Sequence, residues 1–167
     1  MRLADIAAGV EVTAEQRDRG VATVDRTDDS LAERLAPHGE TLPCHADTAA
    51  SVVEQYVGGG SVGAAARAAG TAPVTAAKVL HLLGEPVDPL GPTGREVVQN
   101  WLAGELSRAD AIELARATET EFALAVYVET HDPIADACVA VEDALAARHR
   151  PEEDPLEETR PGATDLL

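Results

Sequence analysis

Aromatic side chains are nearly missing from this sequence. Tyr56, Trp101, Phe122 and Tyr127 are the whole supply in 167 residues. A β-sandwich or barrel needs such bulk to fill its interior, so a core made mostly of Ala, Val and Leu points to closely packed helices. Lysine occurs once, at Lys78, and cysteine twice, at Cys44 and Cys138. Two cysteines cannot make a disulfide framework. No run of 18 apolar residues occurs, which excludes a membrane-spanning helix. The opening Met1-Arg2-Leu3-Ala4-Asp5 lacks the apolar stretch of a signal peptide. The expectation is a soluble, cytoplasmic protein with no membrane partner.

What is abundant is alanine, at 32 residues, and acid. Thirty Asp and Glu against 13 Lys and Arg give a formal charge of −17. The acids are spread along the chain, and arginine replaces lysine almost everywhere. That balance resembles proteins of salt-loving archaea, where a dense carboxylate surface keeps a protein dispersed although charges are screened within about 3 Å at 1 M salt. Against such a background the informative feature is where acids are missing. From Gln55 to Gly84 there are none in 30 residues, and Arg67, Lys78 and His81 lie inside that stretch. It reads either as the most buried part of the chain or as a partner-facing surface kept free of negative charge.

Helical periodicity runs through the chain and no alternating strand pattern persists. Thr13 with Gln16 has capping-box spacing and opens a helix expected to reach Ala36. Further helices are expected over about 47–57, 61–69, 73–83 and 93–103. Two more start at Ser107 and Thr118, each followed three residues later by an acid, and a last one covers about 133–149. Glu85 to Pro92 is a proline-rich connector. From Pro151 six acids face one arginine, which predicts a disordered acidic tail. The fold class is therefore all-α: a compact multi-helix bundle of an N-terminal helical segment (1–43), a central unit (44–86), a C-terminal helical unit (87–150) and the tail (151–167).

The central unit carries the functional signal. Gly70 follows a short helix and precedes a longer one that starts at Pro73. Ala66 is small where two helices must approach, and Ala76, Val79, Leu80 and Leu83 face back on the first helix. On Ser61-Val62, Ala66, Gly70, Thr75, Val79 and Leu80, residues 47–84 resemble the tri-helical helix-turn-helix DNA-binding domains of regulators, resolvases and transposases. The chain as a whole also resembles an uncharacterised haloarchaeal family, which implies no function.

The helix-turn-helix resemblance implies a recognition helix exposing Ala72, Pro73, Thr75, Ala77, Lys78 and His81. Arg67 and Lys78 would meet phosphates, Thr75 and His81 a base edge or phosphate, and Ser61 a phosphate at a helix start. The pattern is left at Thr71, where Val or Ile is usual, and the recognition helix has no Arg, Asn or Gln for bidentate base contacts. Two readings follow. One is a DNA-associated or transcription-regulatory protein that binds through Ser61, Arg67, Thr75, Lys78 and His81. The other is a helical protein-interaction adaptor whose helix-turn-helix is only a scaffold. Thr93 to Thr130 repeats the theme with more acids than its three arginines, which suits packing on the first unit or homodimerisation better than a second DNA-reading head.

Other motifs carry less. Gly58-Gly59-Gly60-Ser61-Val62-Gly63 fits G-x-G-x-x-G, but a helix and not a strand precedes it, so no nucleotide cofactor is expected. His38, Cys44, His131 and Cys138 have no metal-ligand spacing. No carboxylate pair and no Ser-His-Asp set stands out, so no catalytic residue is assigned and the chain does not read as an enzyme.

Overall fold

Short polar side chains decide where several of the helices begin. The computed structural model describes residues 29–148, and among these it holds eight α-helices and no strand. Helix α1 (Leu31–Leu35) starts at Ser30, whose Oγ accepts the Glu33 N–H at 3.3 Å while the Glu33 carboxylate accepts the Ser30 N–H at 2.7 Å. Ser30 is extended (φ −64°, ψ 156°), so the single helix expected over 13–36 is broken there. The rest of that expectation lies outside the described residues, as does the acidic tail.

A 3-10 turn (Ala36–His38) leads to α2 (Ala46–Val57), α3 (Val62–Ala68) and α4 (Pro73–Leu82). The proline connector follows, then α5 (Gly91–Leu102), α6 (Arg108–Ala115), α7 (Glu119–Thr130) and α8 (Ala135–Arg148). Helix α5 begins two residues earlier than expected because Pro92 fits its first turn, where a missing N–H costs nothing. Helix α8 begins two residues later than expected, at Ala135. Thr118 and Glu121 form the expected capping box, and those hydrogen bonds hold the Glu121 carboxyl below its ordinary range. Ser107 forms only half of one: its Oγ caps the Asp110 N–H, but the Asp110 carboxylate takes the hydroxyl and not the backbone N–H.

Two apolar cores result. Helices α1, α2, α3, α4 and α8 enclose Leu31, Leu35, Val52, Val53, Ala65, Ala66, Val79, Leu80, Ala137 and Val141. Helices α5, α6 and α7 enclose Val98, Ala111, Phe122 and Ala125, with Trp101 and Val97 against them. The small residues let α3 approach α2 and α4, as the alanine content anticipates. Helix α8 is joined to the end of α4 by a hydrogen bond from the Ile134 N–H to the Leu82 carbonyl (2.8 Å).

Helices α2–α4 and α5–α7 are two copies of one three-helix design. Both first helices are 12 residues long. Gly59 and Gly104 end them with φ of 93° and 79°, and each donates its N–H to the carbonyl of an aromatic residue, Tyr56 or Trp101. Ser61 and Ser107 cap the second helices through equivalent 3.2 Å bonds. Gly70 and Arg116 then take left-handed conformations (φ 67° and 51°), and the next N–H, of Thr71 or Ala117, returns to Ala66 or Ile112. Buried positions match as well: Val53 with Val98, Ala65 with Ala111, Ala76 with Phe122, and Val79 with Ala125. Leu106 is the extra residue of the second copy and packs against its core.

The repeated turn carries a prediction. Glycine adopts a left-handed conformation without penalty, whereas another residue there costs about 1 kcal/mol. Arg116→Gly should therefore stabilise the protein by about 0.5–1 kcal/mol, and Gly70→Ala should destabilise it by about 1 kcal/mol. Denaturant midpoints of the two variants check both signs.

Candidate functional site

The two units meet through α4 and α7, which lie side by side and run in the same direction. Equivalent positions face each other: His81 of the first copy meets Tyr127 of the second edge-on, with ring centroids 6.4 Å apart.

This seam gathers four polar side chains. The Lys78 Nζ sits 4.4 Å from the Tyr127 ring centroid. The His131 ring stacks on that same ring at 3.9 Å and 16°, with its Nδ1 3.0 Å from the Tyr127 carbonyl. The His81 Nε2 donates to the His131 carbonyl at 2.5 Å. Burial raises the Tyr127 phenol above its ordinary value of 10.0, so the ring stays neutral at physiological pH.

Two hollows flank the seam. One, of about 290 Å³, is lined by Val74 and Lys78 of α4, Arg108 of α6, and Glu119, Thr120, Ala123 and Leu124 of α7. Its Arg108 is bound to Glu119 at 2.8 Å. The other, of about 360 Å³, is mostly apolar. Tyr56, Val62, Pro73, Val74 and Ala77 form its first-unit wall, Pro86, Val87 and Pro89 come from the connector, and Leu124 from α7. Asp88 and Glu121 are the acidic groups among its lining residues. The Asp88 carboxylate also caps the Gly91 N–H at 2.8 Å and lies 3.8 Å from Arg95.

The five residues assigned to DNA contact are therefore divided. Lys78 and His81 come together, but against α7 and only half-exposed. Thr75 is half-buried beside them, and Ala77, expected on the open side of the recognition helix, is buried at 4%. Ser61 and Arg67 are exposed on α3, where Ser61 Oγ is engaged in capping Ala64. Tyr127, His131 and Leu124 complete the seam, and the sequence assigns none of them to a binding site. The repeated pattern over 93–130 was their one signal, since it placed a second longer helix where α7 lies.

Among the described residues no three His, Cys, Asp or Glu side chains gather as metal ligands would. Cys138 is half-buried, donates weakly to the Leu82 carbonyl at 3.7 Å, and has its thiol pushed up by burial and by Glu142. No described helix is long and apolar enough to cross a membrane.

These features define an all-α protein built from two similar three-helix units joined face to face. The chain belongs to a family of unknown function, DUF7858, whose model matches residues 1–165. No curated protein and no solved structure matches it.

Proposed function

We infer that this protein is a helical protein-interaction adaptor in which the helix-turn-helix unit acts as scaffold. The observation that carries this reading is the packing of α4 on α7. The side of α4 that would enter a DNA groove is occupied by Tyr127, by His131 and by the buried contact at Ala77. A recognition helix must present its side chains to base edges. With α7 in place, α4 offers Lys78 to a ring and His81 to a carbonyl. The few cations on the unit would also release few counterions from a phosphate backbone.

The DNA-associated reading keeps one favourable observation. Ser61 and Arg67 are exposed, and no acid lies between Gln55 and Gly84. Crosslinking the protein to DNA in its own cells separates the two readings at native salt. The adaptor reading expects a flat profile, and Lys78→Glu should then act only on stability, losing about 0.5–1 kcal/mol with the cation–π contact. Discrete DNA sites that vanish in Lys78→Glu, with the fold intact, would overturn it.

A further inference from the structure

The groove on the connector side of the seam has unlike walls. One wall belongs to the acid-free stretch and is apolar, with Val62, Pro73 and Val74. The opposite wall carries Glu121 and Asp88, the latter also 3.8 Å from Arg95, and among the described residues no lysine or arginine lines the groove itself. Lys78 lies in the other hollow, turned to Tyr127. Prolines at 73, 86 and 89 make much of the lining stiff, so little ordering is needed when something binds.

From this asymmetry we propose that the groove binds a short amphipathic helix of a partner protein, with two or three apolar side chains on the acid-free wall and an arginine or lysine against Asp88 and Glu121. The proposal rests on the adaptor reading and adds the chemistry of the partner. Charge complementarity selects the cation: a flanking acid would face two carboxylates across the groove, while a flanking base meets opposite charge. The walls come from both units, so a bound helix would span the seam and hold α4 and α7 together.

The test uses the full chain with labelled Val and Leu methyl groups and three sets of synthetic helical peptides. The first has leucines at i, i+3 and i+7 with arginine flanks, the second has glutamate flanks, and the third has serines in place of the leucines. Arginine-flanked peptides should give saturable shifts at Val62, Val74, Val87 and Leu124. Glutamate-flanked peptides should bind at least about tenfold more weakly, and the serine set should give no shift. Leu124→Glu should abolish the shifts, and Val87→Asp in the connector repeats the test should the first variant fold poorly. No saturable shift, equal affinity for both flanks, or shifts confined to another face would overturn the proposal. A photo-crosslinker at position 124, compared with one at exposed Leu114, separates the two readings in cells. Capture of proteins from 114 and none from 124 overturns the groove and keeps the adaptor, and capture from neither overturns both.

Discussion

Replacing Phe122 with alanine should destabilise the protein by about 3–5 kcal/mol. Phe122 is the chain's one phenylalanine and is 0% exposed. It fills the second core, meeting the Trp101 ring edge-on at 5.5 Å, with the Arg108 guanidinium 5.2 Å from its centroid. The remaining fully buried members of that core are Val98 and alanines, too small to close around the space a phenyl ring leaves. Domains of this size hold only about 5–15 kcal/mol in total, so the second unit should lose its fixed packing. Trp101 is the sole tryptophan, so its fluorescence during denaturation reports this unit directly. A loss below about 1 kcal/mol would mean that the unit does not rest on the ring. The equivalent position in the first unit is Ala76, also 0% exposed, where α1 and α8 add the apolar mass that a phenylalanine supplies in the second.

The second large effect is expected at Gly94, and its sign is the test. In an ordinary helix interior Gly→Ala gains about 1 kcal/mol. Here a Cβ on Gly94 would lie 2.3 Å from the Leu90 Cβ, so Gly94→Ala should instead lose about 1–3 kcal/mol. The matching position of the first unit already holds an alanine, Ala49, at 0% exposure. The difference is in the residue that precedes each helix. His45 enters α2 extended (φ −62°, ψ 150°), whereas Leu90 enters α5 with φ −122° and ψ −6° and folds its Cβ over the first turn. Ala49→Gly should cost only about the ordinary 1 kcal/mol. Thermal melts of the two variants should therefore both fall, and a stabilised Gly94→Ala would show that Leu90 moves aside freely.

Much of the helical layout was legible because its causes are local. Ser61, Ser107 and Thr118 cap helices through bonds spanning three residues, and Gly70 turns the chain with its own φ. Proline in a first turn and glycine at a last one act at the same short range. The departures are of the same kind: Ser30 caps a helix inside a longer periodic run, and Pro92 belongs to the first turn of α5 instead of the connector. The duplication was visible only as a repeated theme. Some matched positions are identical, such as Val53 and Val98 or Ser61 and Ser107, but others differ, with Gly70 against Arg116 and Ala76 against Phe122, so much of the likeness rests on backbone conformation and burial.

An all-helical chain with small residues at its close approaches, a strongly acidic composition, and one unit with a glycine turn between two helices are all legible in the residues alone. Those properties follow from side-chain size, charge and hydrogen bonds to near neighbours. Where the outer face of α4 points depends instead on long-range packing. Periodicity identifies a face as partly polar and does not say whether water, a partner or another helix covers it. Tyr127 and His131 lie about fifty positions along the chain from the α4 residues they cover, and nothing local to Lys78 or His81 encodes their arrival. The pairing of two similar units through equivalent positions closed that face and left a groove with one apolar and one acidic wall beside it.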